Sequence, residues 1–438
     1  MSRIVLLLPS ATYRAADFLA AAGALGAEVV VASDRRQALA RSMGDRALVV
    51  NFAKPERAAD AIVELAGRAA LDGVVAVDDQ GVMVAALASQ RLGLAHNPPA
   101  SVARSRDKAA MRAALEAGGV PQPRWAVAGG GDDVAEVAEL VGFPCVVKPT
   151  SLSGSRGVIR VDDIDGARAA GAWARAIAAA GAAGAAGAAG AAGAAGAAGA
   201  AGAAGAAGAG APPLIVESFV SGDEVAVEGL LRGGDLEVLA VFDKPDPLDG
   251  PYFEETIYVT PSRQAPEVLA QVGSTVSGAC AAMGLVEGPV HAELRISPAR
   301  DGPAGICVIE VAARSIGGLC SRSLAFGTGA SLETLIVAHA LGIGLGDLRR
   351  EDPASGVMML PIPARGMLVG VSGREAALAV PGVTALEISI PPGREVVPLP
   401  EGDRYLGFVF AKAATPAEVV TALRAAQEAL DIDISRPA

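Results

Sequence analysis

Two short segments carry the residues best suited to chemistry. In VHAELRI (290–296) and GICVIEVAAR (305–314), residues of two characters alternate strictly, the pattern of a strand with one face on a core. On the first segment Val290, Ala292, Leu294 and Ile296 form one face, and His291, Glu293 and Arg295 the other. On the second, Cys307, Ile309, Val311 and Ala313 form the apolar face, and Val308, Glu310, Ala312 and Arg314 the opposite one. The intervening SPARDGPAG reads as a hairpin turn centred on Asp301-Gly302. A hairpin symmetric about that turn sets Glu293 opposite Glu310 and His291 opposite Ala312. Directly opposed side chains have Cβ atoms roughly 4.5–5.5 Å apart, so the two carboxylates repel unless a cation lies between them. A hard divalent cation fits there, with waters and phosphate oxygens completing its shell. Arg314, further along the same face, can meet the phosphoryl or carboxylate end of a reactant. A solvated hairpin face is the alternative, and a one-residue slip would undo the pairing.

Other segments offer phosphate and nucleotide contacts. PCVVKPTSLSGSRGV (144–158) is a strand running into a loop of small residues. Ser151, Ser153, Gly154, Ser155 and Gly157 let backbone N–H groups close on phosphate oxygens, and Lys148 ends the strand within reach. No G-K-[ST] follows, so this is not a P-loop. IVESFVSGDEVAVEG (215–229) brings Glu217, Asp223, Glu224 and Glu228, which could accept from an adenine amino group or ribose hydroxyls, or simply face solvent. Lys108 lies in the first turns of a helix, where a lone lysine is ordinarily solvated. FDKPDPLDGPYFEETIYVTPS (242–262) is dense in Pro, acids and aromatics; it reads as a substrate-contacting loop with Lys244, Glu254, Glu255 and Tyr258 as candidates, or else as a plain connection. Gly317-Gly318, just past Arg314, could admit a substrate close to backbone N–H groups.

The elements that must position these groups follow from the hydrophobic pattern. Residues 1–100 alternate apolar strands with helices at 14–25, 57–70 and 80–91, which predicts a doubly wound parallel sheet covered on both faces; no G-x-G-x-x-G follows the first strand. Residues 101–350 form an α+β block opened by a helix over Ser101–Ala117, with a lid at about 120–220. Residues 351–438 form a small α+β domain with few candidate catalytic side chains. Residues 181–210 are almost pure Gly-Ala-Ala repeat. A glycine every third residue costs a helix about 1 kcal/mol each and nothing large can be buried, so this reads as a poorly ordered extension of helix 165–180 and a tolerated expansion. The formal charge of -12 argues against a nucleic-acid or anionic-membrane binder. No run is long and apolar enough to span a membrane, and the four cysteines show neither metal nor disulfide spacing, which fits a reducing cytoplasm.

Taken in order, these segments resemble the ATP-grasp superfamily over roughly residues 1–350. The resemblance implies an N-terminal α/β domain, an ATP-grasp domain with its lid, and a C-terminal α+β domain. It implies that Lys108 and Lys148 contact the ATP phosphates under the 151–157 loop, with Ser153, Gly154, Ser155 and Gly157 closing over them. It implies that Glu217 and the backbone of Phe219 and Val220 hold adenine, that Glu224 holds ribose, that Glu293 and Glu310 bind Mg2+ (or Mn2+), and that Arg314 stabilises an acyl phosphate. GPVHAELRI, IEVAARSIGG and GFVFAKAATPAEVV are similar to the L-amino-acid ligase, carnosine-synthase-like branch, which implies small-molecule carboxylate and amine substrates and commonly a homodimer. Lys244, Glu255, Tyr258, His291, Gly317 and Gly318 are then the substrate-side candidates. The family's E-x-N at the second metal strand is here Glu310-Val311-Ala312, so an Asn ligand is missing; His291, a water, or Glu310 alone would have to serve. A carboxylase or purine-pathway chemistry, and a non-catalytic nucleotide-binding protein, are the rival readings.

Overall fold

The computed structural model describes residues 2–37, 40–191, 211–297, 305–327, 329–344 and 346–435. The Asp301-Gly302 turn and residues 192–210 of the Gly-Ala tract lie outside the described residues. The N-terminal strands Arg3–Leu7, Glu28–Ser33, Ala47–Val49 and Gly73–Ala76 form a parallel sheet. Helices Pro55–Ala66 and Val82–Leu92 pack together over one face, where Val5, Leu7, Val30, Ile62 and Val84 are buried in one cluster. Ile4, Leu6 and Phe18 on the other face join a second core, which also takes in Phe242, Tyr258, Ile336 and Phe408 from later elements.

The second layer is an eight-stranded antiparallel-paired sheet. Its order runs Gly305–Ala312, Gly288–Ser297, Asp223–Arg232, Asp235–Lys244, Ile257–Thr260, Ala354–Leu360, Gly407–Ala413, Val383–Ile388. Three strands of the expected closing domain therefore extend the sheet that carries the acidic hairpin. Helix Pro266–Met283 covers the near end through Val272, Val276 and Met283; helix Pro416–Glu428, begun by a Thr415/Glu418 capping box, covers the far end through Val419 and Leu423. Gly222 makes one close approach possible: at φ 120 it lies where a Cβ would fall 2.2 Å from Ile296 O.

A separate four-stranded antiparallel sheet, Trp125–Ala128, Leu214–Ser218, Cys145–Pro149 and Ile159–Val161, falls within the segment 120–220 expected as a lid. Helices Val134–Val141 and Ile164–Ala191 back it with Ala and Val. The Gly-Ala tract thus begins as a continuation of the lid helix, as far as Ala191. The helix expected over Ser101–Ala117 is two helices, Pro99–Arg106 and Lys108–Ala117. Asp107 between them is extended and its carboxylate accepts from Ala110 N at 2.8 Å, an N-cap that starts the second helix at Lys108.

Candidate active site

The hairpin strands pair Glu293 with Glu310 and His291 with Ala312. The ladder is not regular. Glu293 faces Glu310 but Leu294 faces Val308, so Ile309 is an extra residue in a bulge. This corrects the expected faces. Ile306, Val308 and Val311 enter the core, whereas Cys307 and Ile309 turn to the other side. Ile309 there lines a cavity between the lid and the central sheet, together with Val146, Lys148, Phe219, Leu248 and Phe253. The apolar run I-C-V-I concealed the break, because any of its residues could fill a core position.

Arg112, fully buried, braces this cavity from below. Its guanidinium donates to Val308 O (3.1 Å), to Ile309 O (2.6 Å), and to both oxygens of Glu217 (2.8 and 3.1 Å). Lys148 Nζ lies 2.6 Å from Glu217 Oε2. Burial works against the charge on Glu217, but Arg112 and then Lys148 outweigh it and hold the carboxyl down at about 2. Both Glu217 oxygens are thus engaged by cations. Phe219 N–H is also engaged, by Pro144 O at 3.0 Å. Among the described residues no hydrogen bond occupies Phe219 O or Val220 N–H, the pair a purine edge needs.

The loop over 151–157 closes the cavity. Gly154, Ser155 and Gly157 have φ of 67, 56 and 68, the left-handed region that lets the loop turn tightly, and Ser153, Gly154 and Ser155 line the cavity. Lys108 is not a solvated lysine: its Nζ donates to Leu152 O at 2.6 Å and lies 3.8 Å from Glu310.

Glu224 and Glu293 share a buried lysine. Lys244 Nζ lies 2.7 Å from Glu224, 2.9 Å from Glu255 and 3.1 Å from Glu293. Arg295 Nε takes the other Glu224 oxygen at 2.7 Å. Burial lowers the affinity of Lys244 for its proton, and the three carboxylates, Glu224 first, overcome this and push it well above its ordinary value. Glu255 is pushed up to about 7 by burial, against the pull of Lys244 and with Glu293 adding to the rise. Its second oxygen accepts from Tyr258 Oη at 2.6 Å. The acidic loop therefore brings Lys244, Glu255 and Tyr258 to the hairpin. Glu254 faces instead a small cavity with Ile362 and Val397.

On the far side of Glu293 and Glu310 lies a second, larger cavity of about 300 Å³. It shares Ser153, Gly154, Ser155, Glu255, Glu293 and Glu310 with the first and adds Asp78, Asp79, His291, Arg314, Gly317, Gly318, Asp403 and Tyr405. Arg314 donates to Ser315 O at 2.9 Å and faces Asp79 at 3.6 Å. The loop behind it is pinned by Arg14, a buried residue sequence reasoning missed, which donates to Val77 O, Ser315 Oγ and Ile316 O at 3.0 Å and to Glu333 at 2.9 Å. His291 Nδ1 lies 2.5 Å from Glu228 and Nε2 3.4 Å from Glu293. Burial lowers the His291 pKa, but Glu228 and then Glu293 raise it to about 9. Its Nδ1 is thus committed to Glu228, and its Nε2 is the ring nitrogen turned toward Glu293.

The donor set fits a magnesium ion. Glu293 and Glu310 are oxygen donors facing one cavity from paired positions, and neither has both oxygens held by cations. Among the described residues, the tightest acidic cluster is Glu224, Glu255 and Glu293; it surrounds Lys244 and so already holds its cation.

Sequence family models match residues 19–96 as an ATP-grasp N-terminal domain, 206–323 as an ATP-grasp domain and 358–435 as an L-amino acid ligase C-terminal domain 2. The chain belongs to the ATP-grasp superfamily. Its C-terminal match places it in the L-amino acid ligase branch. It is 25% identical over 337 residues to an uncharacterized protein, y4rH, of Sinorhizobium fredii, covering 77% of this chain and 63% of that one. It is 25% identical over 277 residues to an alanine–anticapsin ligase of Bacillus subtilis, covering 60% and 53%. The chain thus spans a little over half the length of these relatives. The fold is similar to the crystal structure of an L-amino acid ligase from Bacillus licheniformis, with a TM-score of 0.74, 21% identity, and 100% and 99% of the two chains covered. It is also similar to a carboxyaminoimidazole ribonucleotide synthase from Aspergillus clavatus complexed with ATP, with a TM-score of 0.69, 16% identity, and 98% of each chain covered. No helix among the described residues is long and apolar enough to cross a membrane.

Proposed function

We propose that this chain is an ATP-dependent ligase that joins the carboxylate of an amino acid or similar small acid to an amine through an acyl phosphate. The observation that carries this reading is the shared wall. A cavity with an apolar slot and a glycine-serine loop meets a polar cavity at Glu293, Glu310 and residues 153–155. ATP would lie in the first, with its γ-phosphate at the wall and the acceptor acid in the second. Relatives that bear ligase names, and the C-terminal family match, support the same assignment.

The carboxylate oxygen attacks the γ-phosphorus, the bond to ADP breaks, and an acyl phosphate forms. The amine then attacks the acyl carbon, phosphate departs, and the nitrogen loses a proton. Lys108, Lys148 and the amides of residues 153–155 orient the phosphates and meet the charge that spreads over them. Glu293 and Glu310 would hold Mg2+, which when bound supplies further positive charge at the phosphate oxygens. Arg314 sits on the acceptor side, where the carboxylate and then the acyl phosphate carry negative charge. Glu217 serves as a counter-ion that keeps Arg112 and Lys148 in place.

The test is ATP with a panel of amino acids, singly and in pairs, followed by ADP and phosphate release and by mass spectrometry of the product. Amide formation is expected. Turnover with bicarbonate and none with any amine would overturn the assignment.

A further inference from the structure

The phosphate loop is fastened to the far end of the chain at a point outside the reacting groups. Gly157 N donates to Pro400 O at 2.9 Å. The next residue, Glu401, accepts from Trp173 Nε1 at 3.0 Å through one oxygen and from Arg365 through the other. Trp173 belongs to the helix Ile164–Ala191 that backs the lid, and its ring meets Tyr252 edge-on at 5.8 Å. Further along that helix, Gly181 lies against the loop itself, its Cβ position 3.2 Å from Leu152 Cδ2. Two adjacent residues of the C-terminal segment thus hold both the loop and the helix that frames it.

We propose that Glu401 is a positioning residue for the nucleotide. Held by Arg365 within its own domain, it anchors Trp173, and with Pro400 it keeps the 151–157 loop closed over the ATP phosphates. This rests on the reading of that loop as the phosphate site. A carboxylate suits this role because it accepts from an indole N–H and a guanidinium at once, and a charge-assisted bond of this kind is stronger than a neutral one. The bond pair ties the helix behind the loop to the C-terminal segment, one residue from the Pro400 carbonyl that holds the loop itself. The family-specific C-terminal domain then acts on ATP retention and leaves the chemical step to the hairpin.

The experiment compares the full chain with Glu401→Ala, Glu401→Gln and Trp173→Phe by calorimetric binding of a non-hydrolysable ATP analogue with Mg2+, and by steady-state kinetics. Glu401→Ala and Trp173→Phe should each weaken analogue binding and raise the KM for ATP about tenfold, the scale of one lost charge-assisted bond. The KM for acid and amine, and kcat at saturating ATP, should stay within about twofold. Glu401→Gln, which keeps an acceptor for the indole, should recover most of the affinity. Unchanged analogue binding in both Glu401→Ala and Trp173→Phe, with the parent binding normally, overturns the positioning role alone. A parent chain that binds no analogue overturns the phosphate-loop reading and the latch with it. Equal losses in all three KM values would mark a general structural defect and also refute the proposal.

Discussion

Replacing Arg112 by Met removes the buried brace under the nucleotide cavity. Arg112 is fully buried and donates to Glu217 twice and to the carbonyls of Val308 and Ile309. Met fills much of the volume, so the loss is electrostatic: Glu217, 2% exposed, keeps only Lys148. The depression of Glu217 from 4.5 to about 2 corresponds to about 3 kcal/mol at ~1.4 kcal/mol per pH unit. Breaking a buried pair by removing one partner costs about 3–5 kcal/mol. At about 2 °C per kcal/mol for a unit of this size, the apparent melting temperature should fall by about 6–10 °C. The pH dependence has a definite sign. A carboxyl with a depressed folded pKa contributes stability that is complete above its unfolded value of 4.5 and is lost as pH falls through about 2. The parent should therefore show no pH dependence from this group between pH 5 and 8, and in Arg112→Met, where the folded carboxyl loses its main cation and its pKa rises, acidification should remove less stability through this group than in the parent. A second substitution step on Arg112→Met, Glu217→Gln together with Lys148→Met, should restore part of the loss, because Lys148 pairs with Glu217 and the two remaining buried charges are then removed together. Thermal melts at pH 5 and pH 7.5 decide it. A single variant within about 1 °C of the parent at both pH values, with no gain from the second substitution, would refute the reasoning.

Other consequences can be checked on the same material. Arg314→Met should lower kcat by about a hundredfold with little change in the KM for ATP, as expected for a group that meets charge developing at the reacting end; steady-state kinetics reads both. Glu293→Gln and Glu310→Gln should each raise the Mg2+ concentration for half-maximal turnover by on the order of tenfold. His291→Ala should leave that Mg2+ dependence unchanged, since its Nδ1 is engaged by Glu228; a shift comparable with that of Glu310→Gln would make His291 the substitute ligand. Excision of residues 192–208 should leave kcat/KM within about twofold.

What could be read in advance follows from where the signal lay. Period-two alternation over 290–296 needs no partner to be visible, so the strand, its acidic face and the pairing of Glu293 with Glu310 were legible. The bulge was not, because Cys307, Val308 and Ile309 are all apolar and their order is silent about which faces inward. Arg112 and Arg14 were missed because their partners lie 105 and 319 residues away, and an isolated arginine in a helical pattern looks like a surface residue. Arg112 stands four residues after Lys108 on the same helix face, a spacing that could have raised it. The Asp107 cap just before Lys108 was a usable boundary signal that the apolar pattern across 101–117 masked. Asp403 and Tyr405 reach the acceptor cavity only because strands of the last segment join the hairpin's own sheet, and nothing local to 351–438 states that.

Ile309 has a consequence for how the chain tolerates changes of length. An insertion or deletion of one residue is usually the worst event a paired strand can suffer, since everything beyond it changes face. Here the native strand already contains the surplus residue. Were Ile309 deleted, Leu294 would still face Val308 and Glu310 would close up against Glu293, giving an unbroken ladder. The metal pair would survive, while the nucleotide slot would lose one wall and Arg112 one acceptor. Alignment of the acids and fit of the base are thus set by separate residues, so a length change at this position can retune the grip on the base without disturbing the reacting end.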